Sequence, residues 1–186
     1  MLDLSTQIDA SEWLKKGNIL IHPNEGVWGI GCDATNEEAV KKIYELKKRS
    51  KSKALIILIS EYANIYKLLD QVSPNAYDHM NTSVPTTVIF DNVKNISKHA
   101  IANDGSAAIR LANDLFCKKI INKLGKPIIS TSANISGEKN PKSFAEINED
   151  LKKNVDYIVN LRQEEIMETP SSIIKIYDDG KIEKIR

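Results

Sequence analysis

Apolar positions along this chain recur in two rhythms, short unbroken runs and spaced turns, and the order of the two sets the expected elements. Asn18 to His22 is a short apolar run that predicts a buried strand. It opens into His22-Pro23-Asn24-Glu25-Gly26-Val27-Trp28-Gly29-Ile30-Gly31, whose three glycines in six positions predict a loop with close backbone approach. Thr35-Asn36-Glu37-Glu38 then reads as a capping box. Ala39, Val40, Ile43 and Leu46 recur with the period of a helix over 36–48. Glu37 and Glu38 each precede a lysine by four positions, the favourable order for ion pairs along that helix. Ala54 to Ser60 is unbroken, which suits a strand covered on both faces.

Modest helices are expected over 61–70 and 74–80, and strands over 86–90 and 107–111. Asn113-Asp114 opens a helix that Gly125 and Pro127 close, and 127–131 is another buried strand. Ser143-Phe144-Ala145-Glu146 is a second capping box, and strands near 157–159, 172–176 and 181–185 finish the chain. Strands alternate with helices, yet some consecutive strands leave no room for a helix between them. The expected fold is therefore α/β, a twisted open mixed sheet with helices packed on it, in a single domain over 1–186.

Composition narrows the function. At 41% hydrophobic residues, with 8 glycines and 6 prolines in 186, the chain can bury a core without a disulfide or metal. The 26 basic and 25 acidic residues leave a net charge of +1, which excludes a nucleic-acid binder that works by overall charge while leaving a local basic patch open. Cys32 and Cys117 stand too far apart for CxxC redox chemistry or a thiolate zinc site, and each reads as a small buried residue. No run approaches a membrane span and the N-terminus lacks the pattern of a signal peptide, so the cytoplasm is the expected compartment. Only Arg49, Arg110, Arg162 and Arg186 are arginines in a chain that otherwise spends lysine, so an internal one is expected to serve through its fork geometry.

Three segments could carry chemistry. Lys47, Lys48, Arg49, Lys51 and Lys53 cluster where a helix ends and a strand begins, which fits either a solvated helix end or a phosphate site. Ser130-Thr131-Ser132-Ala133-Asn134-Ile135-Ser136-Gly137 brings four hydroxyls and a carboxamide directly after a buried strand, where α/β sheets hold ligands; a serine-rich turn is the plainer reading. Arg110 should emerge at the end of an interior strand, either in a structural ion pair or as a carboxylate clamp. His22, His79 and His99 lack metal-ligand spacing and read as incidental. Neither a Walker lysine motif, a GxGxxG fingerprint nor a GxSxG elbow is present.

Together these segments resemble the YrdC family over most of the chain. His22-Pro23-Asn24-Glu25-Gly26-Val27-Trp28-Gly29 is similar to its Pro-Thr-(Asp/Glu)-Thr loop, Leu46-Lys47-Lys48-Arg49-Ser50 to its Lys-x-Arg element, Ala108-Ile109-Arg110-Leu111 to its Val-Arg strand, and Ser132-Ala133-Asn134-Ile135-Ser136-Gly137 to its Ser-Ala-Asn-x-Ser-Gly signature. The resemblance implies a concave sheet with a positive cavity and synthesis of L-threonylcarbamoyl-AMP and pyrophosphate from L-threonine, bicarbonate and ATP, with Mg2+ on the ATP. It implies Lys47, Arg49, Ser132 and Asn134 as the catalytic tetrad on the nucleotide, with Lys53 and Asn140 also on ATP. Gly26, Arg110, Ser130 and Ser171 would hold threonine, and no residue is implied as a metal ligand. The implied partners are the transferases that pass the threonylcarbamoyl group to tRNA, with weak direct RNA contact compatible and no membrane. Asn24 and Gly26 depart from the family's two threonines, and Val84-Pro85-Thr86-Thr87 has lost a tryptophan and a glycine, which touches amino-acid specificity. The rivals are an RNA-binding module of this fold without catalysis, a hydrogenase-maturation carbamoyl-transfer domain, and a paralogue of altered specificity. Alanine at Lys47 or Arg49 is expected to abolish pyrophosphate release with little loss of stability.

Overall fold

The structure is a computed structural model that describes residues 4–50, 54–168, 170–177 and 180–186. Nine strands form one sheet: β1 (Leu20–Pro23), β2 (Trp28–Asp33), β3 (Ile56–Ile59), β4 (Thr86–Phe90), β5 (Ala107–Leu111), β6 (Ile128–Ser132), β7 (Tyr157–Ile158), β8 (Ser172–Ile176) and β9 (Ile182–Lys184). Their spatial order is β7-β1-β2-β6-β3-β5-β4-β8-β9. The pairs β1–β7, β3–β5 and β4–β8 are parallel and the others antiparallel, so the mixed sheet is as the sequence predicts. The helices are α1 (Leu4–Lys15), α2 (Glu37–Leu46), α3 (Ala76–Met80), α4 (Leu115–Leu124) and α5 (Glu149–Asn154).

The glycine-punctuated stretch is corrected from loop to strand: only the turn before Trp28 is irregular, and Gly29 and Gly31 lie inside β2. Close approach explains the glycines. A Cβ at Gly31 would stand 2.2 Å from the Ile129 carbonyl oxygen, and one at Gly29 2.9 Å from Ser130 Oγ. At the start of α2 the cap is Asn36, whose Oδ1 accepts from Ala39 N at 3.0 Å, while Thr35 bonds to Asp33 instead. Glu37 likewise turns away from Lys41 to accept from Ser97 Oγ and Lys98 N. The stretch 61–70 tightens into a 3-10 helix over Tyr62–Lys67. The second capping box also fails, because Ser143 precedes a 3-10 turn with no side-chain cap and α5 is capped by Asn148.

The two faces of the sheet are covered unequally. One carries the larger core, where Ile30, Cys32, Ile57, Ile109, Ile129 and Val88 pack under α2 and the segment around α3. On the other, α1 and α4 press Leu14, Phe116, Cys117 and Ile120 onto Leu20, Leu58 and Ile128. Both cysteines are buried and free, as expected. Alternation within the registered strands places Ser130, Ser132, Ile56, Ala108, Arg110 and Ile173 on this second face, beyond the helices, where the sheet is bare. No helix among the described residues is long and apolar enough to cross a membrane.

Candidate active site

The bare part of that face is the floor of a cavity of about 350 Å³. Arg49, Arg110 and Arg186 line it together with Ser130, Ser132 and Ser171, and the described lining holds no Asp or Glu side chain. Three of the four arginines in the chain thus converge on one hollow. The fourth, Arg162, makes the ordinary structural ion pair, with Nη1 at 2.6 Å from Asp114. Arg110 is 3% exposed, its Nε has no hydrogen-bond partner, and no ion pair to it is found among the described residues. Burial lowers its pKa from the usual arginine range, with Glu25 the largest opposing charge. A buried, unpaired guanidinium is costly, and an anion in the cavity would offset that cost.

The end of α2 and the loop after β6 are tied into one knot by Lys47. This side chain is 1% exposed, which overturns the solvated reading for it. Its Nζ donates to the Ser132 carbonyl, to the Asn134 carbonyl at 2.7 Å and to Asn134 Oδ1 at 3.2 Å. Three acceptors match the three donors of an ammonium group. Burial and the neighbouring Arg49 push the Lys47 pKa down to about 7, with Glu138 pulling the other way. The Asn134 amide is held at both ends, since Oδ1 also accepts from Ser132 Oγ at 2.6 Å and Nδ2 donates to the Glu138 carbonyl at 2.7 Å. Ser136 N closes the knot on the Lys47 carbonyl at 2.8 Å.

The predicted tetrad is therefore brought together but divided in place. Arg49 and Ser132 face the cavity, while Lys47 and Asn134 stand behind its wall. Arg49 is steadied by a bond from Nη2 to the Ala54 carbonyl at 2.7 Å, and burial lowers its pKa. Its pose follows from the end of α2: Arg49 N bonds to the Tyr44 carbonyl and Lys48 N to the Glu45 carbonyl, a Schellman ending with Lys48 at φ 47°. Truncating Lys47 would strip the Asn134 carbonyl of its donor and leave the Ser132 carbonyl and Asn134 Oδ1 only their bonds from Asn134 N and Ser132 Oγ, so the expectation of little lost stability is corrected for this residue.

Of the other predicted residues, Asn140 lines the cavity rim and Ser171 its far wall, where Ser171 Oγ and Thr87 Oγ1 are 3.0 Å apart. Gly26, at φ 71°, sits in the turn between Asn24 and Val27, both of which reach the wall. Lys53, like Lys51, lies outside the described residues. Two site residues, Arg186 and His22, escaped the sequence reading, which marked a third, Asn24, only as a departure from the family loop that bears on amino-acid specificity. Arg186 is brought in by β9, its guanidinium donating to the Ser171 carbonyl at 2.8 and 3.1 Å. Asn24 donates to Ser130 Oγ at 3.0 Å. His22, read as incidental, is buried against that same hydroxyl. A histidine opposite two glycines on neighbouring strand positions was the available signal.

Residues 12–186 match the protein-family model Sua5_yciO_yrdC, described as Telomere recombination. The chain is 30% identical to the threonylcarbamoyl-AMP synthase of Pseudoalteromonas translucida over 164 residues, covering 86% of this chain and 88% of that protein. It is 32% identical to the synthase of the same name from Saccharophagus degradans, covering 91% and 89%. Among solved structures, it superimposes on P. abyssi Sua5 complexed with L-threonine with a TM-score of 0.84 at 25% identity, covering 97% of this chain and 53% of that one, so it spans about half of the P. abyssi chain. It shares the fold of E. coli YciO at a TM-score of 0.84 and 19% identity, covering 99% and 89%.

Proposed function

Because the chain belongs to the Sua5/YciO/YrdC family, we propose that it is an L-threonylcarbamoyladenylate synthase, a nucleotidyltransferase that serves threonylcarbamoyladenosine modification of tRNA and works as one domain. The observation that carries this reading is the convergence of Arg49, Arg110, Arg186, Ser130 and Ser132 on one cavity whose described lining has no Asp or Glu, anchored by Lys47. Two anionic partners must meet there. The threonine amine is captured by bicarbonate-derived carbon dioxide, and an oxygen of the resulting carbamate attacks the α-phosphorus of ATP as pyrophosphate leaves. Arg110 takes the threonine carboxylate, where its fork geometry suits two parallel hydrogen bonds. Arg49 and Arg186, the second close enough to lower the basicity of the first, offset the triphosphate charge. Ser132, with Asn140 at the rim and Lys53 beyond the described residues, orients the phosphates, while Ser171 and the turn at Gly26 bound the amino-acid end.

In this reading Lys47 and Asn134 act by holding the loop that presents Ser132, so catalysis is mostly positioning and charge placement. The described lining offers no Asp or Glu, and no metal-binding cluster of such side chains is found among the described residues; in this reading Mg2+ enters as part of the ATP complex. An RNA-binding module of the same fold is less well supported, since a structurally similar relative is described in complex with L-threonine. Incubation with labelled bicarbonate, ATP, Mg2+ and threonine should release pyrophosphate only when threonine is present. Threonine-independent release, or none together with tight RNA binding at low salt, would overturn the reading. Arg49→Ala should lower the rate at least about 100-fold.

A further inference from the structure

Resting on the proposed amino-acid site, we infer that His22 is a positioning residue that, with Asn24, locks the Ser130 hydroxyl as a hydrogen-bond acceptor toward the cavity. The amino acid must then meet Ser130 through a donor, its amine or its side-chain hydroxyl, and leave its carboxylate to Arg110.

The polarity follows from the partners one by one. His22 Nδ1 lies 2.9 Å from the Pro23 carbonyl oxygen. A carbonyl only accepts, so Nδ1 carries the proton, and burial, which lowers the imidazole pKa, keeps the ring neutral. The other nitrogen, Nε2, is then a bare acceptor, and its polar neighbour is Ser130 Oγ at 3.4 Å. With the ring 1% exposed, no solvent is at hand to replace that partner. The Asn24 amide is oriented just as firmly: Oδ1 accepts from Glu25 N at 2.8 Å, which turns Nδ2 to donate to Ser130 Oγ at 3.0 Å. The Ser130 hydroxyl thus receives one bond from Asn24 and spends its single proton on His22. What remains for the cavity is a lone pair, which accepts from N–H or O–H and repels a carboxylate.

The backbone is cut to admit this ring. A Cβ at Gly29 would stand 3.1 Å from His22 Cε1, and one at Gly31 3.1 Å from Nε2. Cys117 Sγ, 3.8 Å from Nδ1, packs the other side.

The test is the KM for amino acid set against the KM for ATP and kcat in the pyrophosphate-release assay. His22→Phe, which fills the space without an acceptor, should raise the KM for L-threonine about tenfold while leaving the KM for ATP unchanged. His22→Gln, whose amide oxygen offers an acceptor to Ser130, should recover most of that loss. The same variants tried with L-2-aminobutyrate, which lacks the hydroxyl, identify the donor. An equal rise for both amino acids assigns the amine, and a rise for threonine alone assigns the hydroxyl. Wild-type activity with an unchanged threonine KM in His22→Phe, or equal rises in both substrates' KM, would overturn the inference while leaving the enzyme reading intact. If His22→Phe misfolds, Asn24→Asp in the intact fold should raise the threonine KM by a similar factor, and an unchanged value there overturns the inference equally.

Discussion

Two helices, α2 and α4, end in opposite ways. The last turn of α4 finishes on Gly125, which enters the left-handed region at φ 75° with no atom within 4 Å of where a Cβ would stand, and its N–H returns to the Ile121 carbonyl at 2.8 Å. That ending is unstrained. At the end of α2, the left-handed position is held by Lys48, whose side chain makes φ 47° costly, and the preceding Lys47 is buried. Both chains then lead into a buried strand. Only the second delivers a guanidinium to the cavity and a cation to the loop after β6, and it is there that strain and charge burial are tolerated.

The contrast can be broken most sharply at Lys47. Replacing it with methionine strips the Asn134 carbonyl of its donor and takes one of two bonds from the Ser132 carbonyl and Asn134 Oδ1, and should cost about 2 kcal/mol in urea denaturation, with pyrophosphate release lost. Arg49→Ala, by contrast, should lose release while the denaturation midpoint moves little. Titration separates the two ends further. The folded chain gives up the Lys47 proton at about pH 7, whereas an unfolded lysine keeps it to 10.5. The unfolded state therefore binds more protons across that window, and wild-type stability should rise against Lys47→Met by about 1.4 kcal/mol per pH unit above pH 7. A flat difference between pH 7 and 9 would refute this. At the other end, Gly125→Ala should cost about 1 kcal/mol at every pH, because only backbone strain is introduced. Smallest of all, Lys48→Gly should stabilise the fold by about 0.5 kcal/mol on the same denaturation curves.

Legibility in the sequence followed locality. The helix over Glu37–Leu46 and the strands β3 to β6 were readable because their apolar period is long enough to see. The glycines of β2 hid a strand, since their reason is the Ile129 backbone and the His22 ring, neither of which is near in sequence. Helix α1 went unread because its sequence over Leu4–Lys15 is mostly polar; among the described residues Ala10 and Leu14 pack onto α4. The site was legible as four family-like segments, and the knot joining Lys47 to Ser132 and Asn134 shows two of them physically joined. Arg186 was not legible, because it reaches the cavity only through pairing with Ile173, thirteen positions upstream.

Arg110 also guards the alignment of its own strand. β3 and β5 are apolar on both sides, so side-chain preference alone would scarcely distinguish the native pairing of Leu58 with Arg110 from one shifted by a single position. A shift would carry the guanidinium through the sheet into the aliphatic layer beneath α2, where neither water nor a bound anion could reach it. The arginine proposed to take a carboxylate thus also disfavours misassembly of the sheet's centre.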